Sequence, residues 1–463
     1  AGDLNPHFFK IPPLTSYLLF GIYGIFFLVG KLLGFFASVT DFERLFFQRP
    51  LVFYEVGRLF LGAFLGTATV YALYRNVRRY FGCRAALFSA AFLAFNFLHG
   101  RDSHFIYADI PMIFFVTGCV FLSLAILKGA GWAVYWPAGL FLGIACAFKY
   151  NAAIAAISIL TAHVLSGKKP FRFLIMTALF SIGVYFVLNP FSLTDFAFFM
   201  KEFSGQGSVE GKAGVLYHLR ASLVYACGAP LIVAGVWGWL ILWKSHPSEA
   251  KVILSFVAAF YAVLIFFSQL HERYVLPLVP FVCFGAGVLA DRWFSWRGRA
   301  LKMGIAILLV AAWFIPAAKL AQMDILFSRP DTRDLARTWI EENIPSEKKI
   351  AFTHSFQRPR IGRSMQQCDQ LKPAGTLQAE KLMKDKKYAN PDTPAYWFYF
   401  LSDRPTAEFT QAQPTLSFDV GKIRSEGIDY VVIHYQETES HQAFYAALKS
   451  SAKLVARLSP YTD

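Results

Sequence analysis

Lys10 stands after the aromatic pair Phe8-Phe9 and, one residue on, before Pro12-Pro13. Prolines fix φ and stiffen the backbone, so the ammonium is offered from a set position, as a phosphate-binding group would be. A lysine snorkelling at an interface fits the same spacing. Arg101, Asp102 and His104 precede an apolar stretch, and Asp109 follows Asp102 by seven residues. That is two helical turns, so both carboxylates are expected on one face of one helix start. There they could orient a hydroxyl, hold a metal or act as a base. The structural alternative is an Arg101–Asp102 ion pair, with Asp109 capping the helix that Pro111 opens. His271-Glu272-Arg273-Tyr274 joins two further apolar stretches, and Pro277 and Pro280 distort the start of the second. Arg273 suits bidentate phosphate binding, against the alternative of a Glu272–Arg273 salt bridge. His271 and Tyr274 flank it. Lys149 separates two apolar stretches with almost no loop and can snorkel or reach into a cavity. His218 and Arg220 open one more stretch. His99, His104, Asp102, Asp109, His271 and Glu272 are competent metal ligands, yet no pair has a zinc spacing. No cofactor is assigned, and a divalent cation stays open.

These charges matter because of what surrounds them. The 463 residues are 56% hydrophobic and 17% aromatic, with a mean hydropathy of +0.43. Apolar runs repeatedly approach the roughly 20 residues that cross a bilayer as a helix. An ion at the centre of such a helix costs about 2.5–3.5 kcal/mol on insertion scales, so charges kept at helix ends tend to serve an ionic substrate. Ten spans are predicted: 55–74, 84–99, 106–127, 132–148, 150–165, 172–190, 217–243, 252–268, 274–290 and 302–320. Residues 12–37 are also apolar, but one more crossing would invert the charge pattern. They are expected as a helix or bent hairpin on the outer face, with glycines at 21, 24, 30 and 34 permitting a bend.

Of the 45 Lys and Arg, 26 fall in residues 1–320 against 12 acids, so nearly all of the +15 charge lies there. Fourteen sit in short loops, among them Arg75, Arg78, Arg79, Arg84, Lys168, Lys169, Arg292 and Arg297. The positive-inside rule makes those loops cytoplasmic. Arg101-Asp102, Lys149, His271-Glu272-Arg273 and everything past residue 321 then lie outside. This distribution argues against nucleic-acid binding. The domain expectation is a membrane part, 1–320, and an external α/β domain, 321–463. In the latter, Thr332–Asn343 reads as a helix capped by Asp331, Lys349–Thr353 and Ile428–Tyr435 as strands, the second buried, and His441–Lys453 as a helix. Residues 355–420 are expected as irregular loops. Cys368 stands alone in this region, so no disulfide forms within it. The chain opens at Ala1 in a polar loop without a signal-peptide pattern and is read as a fragment lacking its N-terminus.

Taken in order, GDLNPHFFKIPPL, RDSHFIYADIPMIFF, GLFLGIACAFKYNA, HERYVLPLVPF and DTRDLARTWIEENIP resemble the C-type glycosyltransferases of the dolichyl-phosphate-mannose protein mannosyltransferase superfamily. The likeness is strongest to bacterial members, the group that includes lipid A aminoarabinose transferases. It implies a mainly α, polytopic membrane bundle of C-type glycosyltransferase fold with a C-terminal soluble α/β domain. It also implies transfer of a sugar from a polyprenyl-phosphate donor, at the outer face of the plasma membrane, to a lipid, glycan or protein acceptor. The family's Lys-Pro-Pro-Leu matches Lys10 to Leu14 with one residue inserted. Its Leu-Asp-x-Pro-Leu matches Ala108 to Met112, making Asp109 the carried-over carboxylate, and its Arg-Tyr-x-x-Pro-x-x-Pro matches Arg273 to Pro280. Asp102 is a second catalytic candidate; Lys10, Arg101, Lys149, His271, Arg273 and Tyr274 are substrate-binding candidates. The family's principal catalytic Asp lies upstream of the Lys-Pro-Pro segment, and Asp3 is too near Lys10 to be it. A transporter or flippase of lipid-linked sugars is the rival reading, but no inverted repeat is visible. A non-catalytic scaffold is a third.

Overall fold

A computed structural model of the chain describes residues 4–129, 131–167, 169–204, 216–266, 271–354, 358–370, 393–402, 414–434 and 441–459. It resolves into two compact units, residues 1–39 with 50–323, and 40–49 with 324–463.

The first unit is helical throughout. After α1 (Leu14–Leu32), and apart from α2 (Val39–Gln48), whose residues from Thr40 on belong to the second unit, its elements are α3 (Pro50–Phe81), α4 (Cys83–Ala94), α5 (Phe97–Ser103) and α6 (Asp109–Lys128). There follow α7 (Trp132–Phe148), α8 (Tyr150–Leu165), α9 (Phe171–Leu188), α10 (Phe191–Thr194), α11 (Phe196–Ser204), α12 (His218–Ser245), α13 (Pro247–Leu264), α14 (Glu272–Trp293) and α15 (Arg299–Phe327). Among the described residues eight helices are long and apolar enough to cross a membrane, or nine if the bent pair α4–α5 counts as one span. This is a multi-pass membrane protein. Each of the ten expected stretches contains a helix, but α7 and α8 are shorter apolar helices. Of the two forms expected over 12–37, the helix occurs and the bent hairpin does not: α1 is one unbroken helix, and the turn comes after it, where Gly34 takes φ +79°.

Helices α6 and α14 are buried nearly all round, as apolar residues on every face require. Tight contacts set their neighbours. A Cβ on Gly238 of α12 would lie 1.7 Å from the carbonyl oxygen of Gly285 on α14. Only a hydrogen there lets the two backbones touch.

The second unit contains α16 (Thr332–Asn343), β1 (Lys349–Phe352), β2 (Gly362–Arg363), α17 (Met365–Gln370), β3 (Ala395–Leu401), β4 (Thr415–Leu416), α18 (Val420–Ser425), β5 (Tyr430–Val432) and α19 (Gln442–Ser451). The sheet is parallel, in the order β2-β3-β1-β5, with β4 also paired to β3. Asp331 caps α16 through the Arg333 N–H, as expected. Ile340 and Ile344 pack with Ile350, Phe352, Phe398 and Phe400, while Phe444, Tyr445 and Leu448 of α19 pack with Ala351 and Leu401. Two corrections arise. The central strand β3 and the short β2 and β4 lie inside 355–420, which the sequence assigns to loops; the apolar AYWFYFL was outweighed by its polar flanks. Among the described residues β5 pairs with β1 alone, and it is only half-buried, not buried in the sheet as expected. Tyr435 lies outside the described residues.

Candidate functional site

The candidate residues occur where spans start, stop or break. α5 ends at Ser103 and α6 starts at Asp109, so Asp102 and Asp109 belong to two helices, not to one face of one helix. The sequence spacing misled because residues 104–108 leave the helix. Asp109 is not a cap either: the N-cap is Ala108, with no side-chain bond. Instead the Asp109 carboxylate accepts from Lys149 Nζ at 2.6 Å, with the two side chains 7% and 19% exposed. Lys149 reaches it because its backbone is extended (φ −158°, ψ 128°), breaking the helical run between α7 and α8. Its ammonium also sits 5.0 Å from the centre of the Tyr274 ring.

Arg101 Nε donates to Asp102 Oδ1 at 2.8 Å, and Arg101 Nη1 donates to the Tyr225 hydroxyl at 3.3 Å. Asp102 is 1% exposed. Among the described residues its other oxygen, Oδ2, is buried with no hydrogen-bond partner. A buried charge in that state is costly, and such groups call for a functional account. Arg273 shows the same feature: its guanidinium carbon lies 4.9 Å from the centre of the Tyr107 ring, and its Nε is buried without a partner. Asp102 is in electrostatic reach of both Asp109 and Arg273, and Tyr274 of Arg273 and Asp109. The His271 ring stands 5.3 Å from that of Tyr274.

Asp102, Asp109, Arg101, Lys149, Arg273 and Tyr274 therefore gather at one end of the bundle, with His271 at the margin. Lys10 is tied in one residue away. Phe9, fully buried, donates its N–H to Glu202 and accepts from the Tyr150 hydroxyl at 2.8 Å. Lys10 itself is exposed. His218 bonds Ser222 Oγ at 3.0 Å instead of joining the group, and Glu272 and Arg220 are exposed. Among the described residues, no ion pair joins Glu272 to Arg273, and no three His, Cys, Asp or Glu approach as metal ligands would.

Tyr107, Tyr150, Tyr225 and Lys319 were missed. Lys319 Nζ donates to the Tyr225 carbonyl at 3.1 Å and lies 3.7 Å from the centre of that ring. A lone cation deep in the apolar run of α15 was the available signal. The tyrosines carry no pattern of their own.

Residues 51–193 match the family described as dolichyl-phosphate-mannose-protein mannosyltransferase. No curated protein gives a significant match. Among solved structures the chain is similar to ArnT from Cupriavidus metallidurans in the apo state, at 15% identity and a TM-score of 0.54, covering 97% of this chain and 86% of that one. It is likewise similar to ArnT of the same organism bound to undecaprenyl phosphate, at 15% identity and a TM-score of 0.51, covering 97% and 87%. The resemblance read from the motifs is thus accompanied by a family match over residues 51–193 and by a likeness of fold to ArnT.

Proposed function

We propose that this protein is a membrane glycosyltransferase that moves a sugar from a polyprenyl-phosphate donor to an acceptor hydroxyl at the outer face of the plasma membrane. The observation that carries this reading is the convergence of Lys149, Arg101 and Arg273 with Asp102 and Asp109 where the spans break. The undecaprenyl phosphate held by the similar ArnT and the family match support the donor class. A prenyl phosphate keeps its tail in lipid and its anionic head at the interface, where Arg273 and Lys149, with Lys10 on its proline-stiffened segment, would hold it by charge-assisted bonds.

In the reaction, the acceptor oxygen bonds to the anomeric carbon as its proton passes to a carboxylate. The bond from that carbon to the phosphate oxygen breaks, and the electron pair leaves with the polyprenyl phosphate. Cations placed on that oxygen are worth most as the negative charge develops. Among the described residues, Asp102 offers an oxygen without a partner for a hydroxyl. The resemblance assigns the principal acid to a loop upstream of Lys10 and makes Asp109 an active-site carboxylate, which in this structure pairs with Lys149. The test is transfer of labelled sugar from defined prenyl-linked donors by the full-length protein in proteoliposomes. Lys10→Ala and Arg273→Ala are expected to cut turnover sharply. Unchanged rates in both would remove the assignment.

A further inference from the structure

The α/β unit brings together a second group of residues, independent of the transferase reading. In open parallel sheets, ligands bind outside the carboxyl ends of the strands, at the point where strand order reverses. Here the chain leaves β1 for β3 on one side, and returns to the other side of β1 as β5, so the reversal falls between β1 and β5. The residues at that point are two histidines. His354 follows β1 and His434 follows β5, with ring centres 5.7 Å apart. The His434 N–H donates to Thr353 Oγ1 at 3.0 Å, which fixes the second loop start to the first. His434 Nδ1 is buried and, among the described residues, has no hydrogen-bond partner.

Helix α16 precedes β1, so its N-terminal end comes to the same edge, and Arg333 in its first turn is in electrostatic reach of His434. Burial first, then the neighbouring His354 and Arg333, hold His434 below the ordinary imidazole value. The other charges there are Asp331, which accepts from Arg333 Nε at 2.9 Å, Asp334 in the same turn, and Arg360 near Asp331. Asp331 also caps the helix and holds Arg333 through both Nε and Nη2, so a compact dianion would meet the two imidazoles and share the guanidinium with Asp331.

We propose that the sheet edge where β1 and β5 end binds a phosphomonoester, gripped by Arg333, His354 and His434. The group could be borne by a lipid headgroup or by a soluble sugar or glycerol phosphate. A dianion would favour the protonated form of His434, which burial and its neighbours disfavour in the free protein, so affinity should rise as pH falls.

The test uses the full-length protein in phosphatidylcholine nanodiscs, with imidazole resonances followed by NMR during titration of glycerol 3-phosphate and, separately, dihexanoyl phosphatidic acid. Both His354 and His434 resonances are expected to shift, with affinity at least about tenfold tighter near pH 6 than near pH 8. Arg333→Met should weaken binding about tenfold or more. Response to phosphatidic acid alone would assign a lipid headgroup, and response to glycerol phosphate a soluble or shared ligand; either supports the site. Arg273→Ala, outside this unit, should leave the titration unchanged, which separates it from failure of the transferase reading. No shift of either resonance with either probe in the wild-type protein would overturn the proposal.

Discussion

Replacing Asp109 by Ala tests the geometry of the rim directly. In the native protein the Lys149 ammonium lies 2.6 Å from the carboxylate, and both side chains are largely buried. At an effective dielectric of about 20, that separation corresponds to about 6 kcal/mol of gross attraction, most of which offsets desolvation. Removing one partner leaves the other charge buried and unpaired, which costs about 3–5 kcal/mol. Removing both, as Asp109→Leu with Lys149→Met, should cost much less than the sum of the singles. The assay is thermal unfolding of the detergent-solubilised protein, followed by the fluorescence of its 10 tryptophans. A second reading comes from adding a polyprenyl phosphate. If Lys149 grips phosphate, the lipid should restore a counter-charge and stabilise Asp109→Ala more than it stabilises the native protein. Additive single and double substitutions, or equal stabilisation of both proteins by the lipid, would refute the reasoning.

Arg273→Lys should fail to rescue transfer, because an ammonium cannot reproduce the planar fork or its stacking on Tyr107; kcat/KM for the donor is expected to stay about 100-fold down, a loss of about 3 kcal/mol, and near-native values would count against bidentate binding. Gly238→Ala must push α12 away from the Gly285 carbonyl and should cost about 1–3 kcal/mol, read as a lowered unfolding midpoint; an unchanged midpoint would contradict the packing described. Burial pushes the Asp429 carboxyl up, but the Lys349 N–H and the Lys348 ammonium outweigh it and hold it below its ordinary value. A lowered folded pKa gives stability that is present above the usual carboxylate range and lost as pH falls through the folded value. Asp429→Asn should therefore flatten the acid limb of unfolding, and an acid limb identical to wild type would remove Asp429 from it.

The membrane bundle was legible because span length and loop charge are long-range averages that local irregularity does not disturb. The site was legible as residue types and less so as geometry. Arg273 and Lys149 stand out as cations between apolar runs, but the pairing of Lys149 with Asp109 follows from one extended residue that no periodicity announces. Asp102 and Asp109 seemed to share a helix because spacing assumes continuity, and the break at 104–108 has no proline to mark it. In the α/β unit, α16 carried its own cap and amphipathic face, whereas β3 draws its burial from strands and helices distant in sequence. The two histidines at the sheet edge meet only because β1 and β5 pair across about eighty residues, a juxtaposition that one sequence cannot display.

The most direct test of the central claim is native mass spectrometry of the purified protein with a polyprenyl phosphate, comparing wild type with Arg273→Ala and Lys149→Met. The account predicts a stoichiometric lipid adduct on the wild type, lost or strongly reduced in both variants, while a neutral polyprenol of equal length forms none. Equal retention by wild type and variants, or equal binding of the neutral alcohol, would contradict it.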